Sequence, residues 1–243
     1  MQTTHTPVAN TRYWAAITLA SVLGTNFGDL YAHESGLGLI QGLGLLLPLF
    51  LLVLWAERRD ATPREAYYWT AIVLVRTAAT NIADFAAYKA HIHLLLLTAA
   101  MGLLLALLVR PWQVGPTGRG AIGLGNTSAL YWAAMLTAGT FGTALGDYLS
   151  IRFGLGPAGV GLGLFWGAVW LVTRHGVLTT VLGYWCAIVL VRTAGTSIGD
   201  FLAENPRIGL GLPGATVCSL LAFVAVLTLW RSAGAKGSAA RAA

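Results

Sequence analysis

Charge is what this sequence has least of. Only 10% of its 243 residues are Asp, Glu, Lys or Arg, against about 25% in an ordinary soluble domain. A fully water-covered surface is excluded by that shortage. Cysteine is also scarce: Cys186 and Cys218 both lie in apolar runs. They are too few for a disulfide framework or a thiolate metal site and read as small packing residues. There is no Gly-rich phosphate loop with its Lys, no nucleophile elbow and no H-E-x-x-H, so an enzyme is not expected. No short hydrophobic segment ends in a small-residue cleavage site, and no removable signal peptide is expected. The net charge of +6 reflects basic loops, so nucleic acid is not expected as a partner.

Apolar residues make up 56% of the chain. Runs such as Leu37 to Trp55, Leu94 to Val109 and Leu210 to Trp230 match the ~20 residues that cross a bilayer. The expected class is an all-α, polytopic membrane protein embedded in lipid.

One unit recurs four times. Trp14 precedes Gly24-Thr25-x-x-Gly28-Asp29, and Trp69 precedes Ala79-Thr80-x-x-Ala83-Asp84. Trp132 precedes Gly142-Thr143-x-x-Gly146-Asp147, and Trp185 precedes Gly195-Thr196-x-x-Gly199-Asp200. A Tyr stands before each Trp, and Trp to Asp is always fifteen residues. On a helix the two small residues, four apart, form a small-xxx-small stripe that lets backbones approach closely in a membrane. Thr and Asp, also four apart, form a polar stripe beside it.

The pattern predicts eight helices, near 12–33, 36–56, 66–89, 92–110, 129–151, 156–173, 182–203 and 208–231. The odd-numbered helices carry the unit and the even ones are Leu/Gly/Ala-rich partners, so each repeat is a helix pair. With two spans per repeat, all four motif helices cross in the same direction. Connections carrying Gly-Leu-Gly, at 36–38, 154–156 and 209–211, suit tight turns. Pro48 and Pro213 should bend their helices. Ala71 to Ala78 repeats as Ala187 to Ala194, and Y-W-A-A from Tyr13 repeats from Tyr131. The halves, 12–110 and 129–231, therefore read as copies joined by a Gly/Pro-containing linker, 111–128, with tails at 1–11 and 232–243. A pseudo-two-fold axis along the membrane normal is expected, with a weaker four-fold one superposed.

Ten Lys and Arg, from Arg12 and Arg58 to Lys236 and Arg241, fall on the side bearing the termini. Lys89, Arg152 and Arg207 fall on the other. This bias puts both termini in the cytoplasm, with a bacterial inner membrane as the setting. The Tyr-Trp pairs then read as an aromatic belt at the inner interface. Fifteen residues raise the Asp layer about 22 Å above the Trp layer, into the outer half of the membrane.

Arg76 and Arg192 each follow their Trp by seven residues and precede Asp84 and Asp200 by eight. A charge near mid-membrane costs ~2.5–3.5 kcal/mol, so six such groups would cost roughly 15–21 kcal/mol if unpaired. They must face one another or water. Four carboxylates and two guanidiniums sum to −2, which suits one divalent or two monovalent cations.

Carboxylate and hydroxyl oxygens are hard ligands for Mg²⁺, Mn²⁺, Ca²⁺, Na⁺ or protons. Near the outer mouth lie His33, Glu34, His91, His93 and Glu204. The His-x-His at 91 and 93 could recruit Mn²⁺, Fe²⁺ or Zn²⁺, although solvated interfacial histidines have the same sequence appearance. His5 and His175 have no partner pattern.

The strings Gly142-Thr-Ala-Leu-Gly-Asp147, Ala83-Asp84-Phe85 and Arg192 through Leu202 resemble a family of uncharacterised bacterial multi-pass membrane proteins. That family is defined by a repeated domain of unknown function. The resemblance runs from Tyr13 to about Trp230 and implies the fold but no substrate. The family pattern has a Glu in its first unit where this chain has Thr25, so a family-wide ligand set does not carry over intact.

The leading expectation is transport of a cation, a divalent metal (Mn, Mg, Ca or Zn), through Asp29, Asp84, Asp147 and Asp200. Thr25, Thr80, Thr143 and Thr196 would assist, with Arg76 and Arg192 as counter-charges. The alternatives are a transporter of a small organic solute or anion held by the two Arg, and a scaffold with a structural Asp–Arg network. Self-association into a homo-oligomer is compatible with either.

Overall fold

A computed structural model describes residues 7, 9–34, 38–60, 62, 64–113, 128–173 and 180–242. Most of the linker, His5 and His175, most of the Gly36-Leu37-Gly38 turn, and the side chains of His33 and of residues 230–242 lie outside that description.

Among the described residues are eight α-helices and no strands: α1 Thr11–Asp29, α2 Gly38–Arg59, α3 Glu65–Asp84, α4 Leu94–Gln113, α5 Ala129–Phe153, α6 Leu155–Thr173, α7 Val181–Glu204 and α8 Gly211–Ala242. Short π-helical turns follow α1 at Leu30–Glu34 and α3 at Phe85–Lys89. Gly38, Gly154, Gly209 and Gly211 have positive φ, the backbone state the Gly-Leu-Gly connections require. Pro213 stands in the first turn of α8, where a missing N–H is harmless; Pro48 lies inside α2.

Motif helices α1, α3, α5 and α7 form a closed inner ring in that order: α1 packs on α3, α3 on α5, α5 on α7 and α7 on α1. The outer helices cover the ring with a shift. Each packs most closely on the next motif helix, α2 on α3, α4 on α5, α6 on α7 and α8 back on α1. Each fills a groove between two ring members. Phe50 of α2 meets Trp132 of α5, Trp166 of α6 meets Trp14 of α1, and Phe223 of α8 meets Trp69 of α3. Between repeats, then, an outer helix braces the seam to its neighbour.

Among the described residues, five helices are long and apolar enough to cross a membrane: α2, α4, α6, α7 and α8. The other three, α1, α3 and α5, are ring helices whose inward stripe of Thr and Asp, with Asn26 and Asn81 in the first two, lowers their mean hydropathy. The outer helices show the opposite pattern, with Leu47, Leu52, Leu96, Leu103, Leu164 and Leu221 exposed, as lipid-facing surfaces require.

The aromatic pairs are not an interfacial belt. Tyr13, Tyr68, Tyr131 and Tyr184 are wholly buried, and Trp14, Trp69, Trp132 and Trp185 nearly so. Capping sets the level of three of the tyrosines. Asn10 and Ser128 accept from the backbone N–H of Tyr13 and Tyr131, and Thr180 from that of Gly183, so these helices start just before their Tyr. The four hydroxyls meet on the bundle axis in a closed cycle of hydrogen bonds: Tyr13 to Tyr68 at 3.1 Å, Tyr68 to Tyr131 at 2.7 Å, Tyr131 to Tyr184 at 3.4 Å, and Tyr184 to Tyr13.

Candidate functional site

The ring closes because each small-residue stripe meets the polar stripe of the next ring helix. A β-carbon at Gly24 would collide with Arg76, at Gly142 with Arg192, and at Gly195 with Ser21. These partners stand at the same place in their units, seven residues after Trp. The third unit has Gly139 there, and the residue facing it is Ala79 rather than glycine. Size is thus complementary round the ring: glycine opposite Arg or Ser, alanine opposite glycine. One turn higher, Gly28 faces Thr80, Gly146 faces Thr196 and Gly199 faces Thr25.

That approach brings the four Thr to the axis, where they surround one guanidinium. Arg76 Nη1 donates to Thr80 Oγ1 at 3.0 Å and Thr143 Oγ1 at 2.7 Å. Arg76 Nη2 donates to Thr25 and Thr196 Oγ1, each at 2.6 Å. One buried cation therefore ties all four ring helices. Thr25, Thr80 and Thr196 pass their own protons back to the carbonyl four residues earlier, which leaves their lone pairs for the guanidinium. Arg192 occupies a separate tier nearer the tyrosines. Its Nη1 donates to Ser21 Oγ at 3.1 Å and its Nη2 approaches Met135 Sδ at 3.9 Å. Its electrostatic neighbours are the four Tyr, whereas those of Arg76 include Asp29, Asp147 and Asp200.

The hydrogen bonds of both Arg therefore run to hydroxyls and sulfur, not to the carboxylates that the alternative reading, a structural Asp–Arg network, would pair with them. The clue was available: Thr follows Arg76 and Arg192 by four residues, one turn along the same face.

Above the Thr tier, Asp29, Asp84, Asp147 and Asp200 line one cavity of about 490 Å³, together with Tyr88, Ser150, Ile151, Leu155, Glu204 and Leu212. Constant Trp-to-Asp spacing on four helices started at one level delivers the carboxylates to this common place. Asp84 is 6% exposed, its Oδ2 has no hydrogen-bond partner, and it lies within hydrogen-bonding reach of Asp29. In the first two units the Asp is the last α-helical residue and a π-turn follows; α5 and α7 continue as α-helix past theirs. Such turns recur at functional sites.

The outer-mouth residues divide. Glu204 joins the cavity. His91, with φ 55°, and His93 are exposed on the connection before α4 and do not line it, and Glu34 is exposed as well. Among the described residues, no three His, Cys, Asp or Glu side chains come together tightly enough to hold a metal ion. Sequence reasoning also missed Asn26 and Asn81. They follow the Thr of the first two units, are wholly buried, and their side-chain amides have no hydrogen-bond partner.

No curated protein and no solved structure matches the chain. A family match falls on residues 12–60, spanning α1 and α2, and on residues 183–235, spanning α7 and most of α8. Each matched segment is thus one ring helix with the outer helix that follows it, and both are similar to the family described as Repeat of Unknown Function (DUF347).

Proposed function

We propose that this chain is a membrane transporter, not an enzyme, that takes up a cation in the cavity lined by the four repeated Asp. The observation that supports it is convergence. Four carboxylates from four separate helices line one cavity, while the guanidinium below them is engaged by Thr hydroxyls. Several carboxyl groups gathered in one space above a single guanidinium make that space attractive to cations and unfavourable to anions. Arg76 and Arg192 are wholly buried and do not line the cavity, which weakens the reading in which they bind an anion. The structural lock foreseen for an Asp–Arg network is supplied by Arg76 and the four Thr.

The reading includes eight membrane spans, four-fold pseudo-symmetry about the axis of the Tyr cycle, and both termini cytoplasmic in a bacterial inner membrane. Cytoplasmic termini put the Tyr end inside and the Asp cavity toward the outside. Candidate cargoes are Mn²⁺, Mg²⁺, Ca²⁺, Zn²⁺, Na⁺ or an organic cation, held within a spacious carboxylate chamber.

The test is a thermal-shift and calorimetric panel of these cations and of small organic anions on the parent, Asp147→Asn and Arg76→Gln, between about pH 6 and 8. A bound cation stabilises the parent by mass action. Asp147→Asn should weaken that protection at least severalfold while leaving the fold intact. Arg76→Gln should melt lower yet bind the cation as well or better. A parent that no cation protects, or that only anions protect, ends the reading.

A further inference from the structure

Between α2, α3 and α5 runs a groove of about 590 Å³, within the range of small-molecule sites, ~300–1,000 Å³. Its walls are apolar: Leu43, Leu47 and Leu54 of α2, Val75 and Ile82 of α3, and Leu136 of α5. From Leu43 to Arg58 it follows fifteen residues of α2, roughly 22 Å, most of a hydrocarbon core ~30 Å thick. The groove is narrow. Phe50 and Trp132, both in its wall, already touch across it edge-on, with ring centroids 5.3 Å apart. A further helix, ~10–12 Å across with its side chains, does not fit between α2 and α5. An unbranched hydrocarbon chain needs far less width.

The groove ends at a charge, because Arg58 lines it at the end nearest the termini. Other Arg at that end are engaged. Arg12 pairs with Glu65 at 2.8 Å, Arg64 pairs with Asp60 at 3.2 Å, and Arg59 lies over Trp55 at 5.3 Å from the ring centroid. Arg58 is exposed and has no ion pair among the described residues. Trp55 is exposed one turn before Arg59, and exposed Trp rings settle at headgroup depth. Arg58, three residues on, therefore stands among lipid headgroups. A guanidinium offers paired N–H donors matched to phosphate, and a cation at this depth attracts anionic lipid.

We propose that this groove holds one anionic glycerophospholipid, with an acyl chain laid along α2 and its phosphate on Arg58. The chain packs the seam that α2 bridges at Phe50, and the phosphate supplies the counter-charge for Arg58. A free anion gains the charge contact alone. A zwitterionic lipid gains the chain contact but carries its own cation beside the phosphate. The anionic lipid gains both. The inference needs α2 to span the membrane and is independent of what the Asp cavity carries.

The experiment is native mass spectrometry and thermal shift on the purified full chain, delipidated in detergent. The probes are dioleoylphosphatidylglycerol, dioleoylphosphatidylcholine with the same chains, and glycerol 3-phosphate as a headgroup alone. The anionic lipid should bind at least about fivefold tighter than the zwitterionic one, the contribution of one Arg at an anionic membrane surface. Glycerol 3-phosphate should give no protection. Arg58→Gln should bring the anionic lipid down to the affinity of the zwitterionic one. Arg59→Gln removes the same charge from a residue that does not line the groove, and should keep most of the preference. Ala133→Phe, which fills the groove from α5, should weaken both lipids severalfold. No preference between the two lipids overturns the inference, as does an equal loss in Arg58→Gln and Arg59→Gln, the mark of diffuse surface charge. Glycerol 3-phosphate protecting as well as the lipid overturns it in favour of a bare phosphate site. A dimer that Ala133→Phe dissociates overturns it in favour of a second copy of the chain. If a variant does not fold, the comparison of the three probes on the parent decides alone.

Discussion

A single methyl group at Gly146 tests how the ring is held. Its β-carbon would stand 2.8 Å from Thr196 Cβ, 3.0 Å from Thr196 Cγ2 and 3.1 Å from the carbonyl oxygen of Thr193. Carbon atoms in good contact are ~3.5–4.0 Å apart, so α5 and α7 must separate by roughly 0.7–1 Å. Overpacking of this kind costs about 1–3 kcal/mol. The same movement pulls Thr196 from Arg76, to which it is bonded at 2.6 Å, and a hydrogen bond to a charged group is worth ~1.5–3 kcal/mol. Alanine returns about 1 kcal/mol of helix propensity. The expected balance for Gly146→Ala is a loss of roughly 2–4 kcal/mol, and Gly146→Leu should lose more. Gly44 on α2 is the control: it is exposed and a β-carbon there meets nothing within 4 Å. Gly44→Ala should be neutral or more stable by up to about 1 kcal/mol. Thermal unfolding in detergent, scored by loss of the monodisperse peak in size-exclusion chromatography, reads the difference as a Tm lower by on the order of 5–10 °C for Gly146→Ala. If Gly146→Ala and Gly44→Ala melt together, the ring is not held by this stripe and the argument fails.

Other outcomes follow from the tiers. Tyr13→Phe removes one hydroxyl from the cycle and two of its hydrogen bonds. It should lower stability by ~1–3 kcal/mol in denaturant titrations, with cation affinity unchanged, since the Tyr and Asp tiers lie at opposite ends of the ring. Arg76→Met should unfold at lower denaturant, whereas Arg76→Lys, one cation without the planar fork, should restore only part of the loss. Between α2 and α3, Asp60 accepts from Thr62 N and Oγ1 and from the Tyr67 hydroxyl, which with Arg64 hold its carboxyl down at about 2 against an ordinary 3.8. Because the folded value is the lower one, its contribution is complete above about pH 4 and lost as pH falls toward 2. Asp60→Asn should therefore abolish any difference in loop protection between pH 5 and pH 2.5, measured by hydrogen exchange at Thr62 to Tyr67.

The constant Trp-to-Asp interval was sufficient to foresee that four Asp would meet, because helices that start level and keep one pitch bring equivalent residues to one height. Glu204 was legible for the same reason, four residues beyond Asp200. The tyrosines were misread because a Tyr-Trp pair at a helix start resembles an interfacial anchor. Yet Tyr13 precedes Gly24 by eleven residues, three helical turns within about 20°, and so shares the face that packs into the ring. The Arg–Thr tier was missed because charge was matched to charge. In this ring the carboxylates lie a turn above the guanidinium, and the hydroxyls are what reach it. The exposed His91 and His93 could not be told from cavity ligands because their placement depends on the π-turn after Asp84, which leaves no mark in residue spacing. Nor could the sequence say which ring helix each outer helix would brace, since Leu-rich helices without a polar stripe carry no register.

The Arg76 tier also bears on speed. The axis from the Tyr cycle to the cavity is occupied at successive levels by hydroxyls and guanidiniums. An ion passing straight along it would have to open the four bonds around Arg76 together, roughly 6–12 kcal/mol at 1.5–3 each. At about 1.4 kcal/mol per decade, that path is some 10⁴ to 10⁸ times slower than an open pore. Single-channel currents should therefore be absent from bilayers containing this protein. Any flux should be slow, saturable turnover.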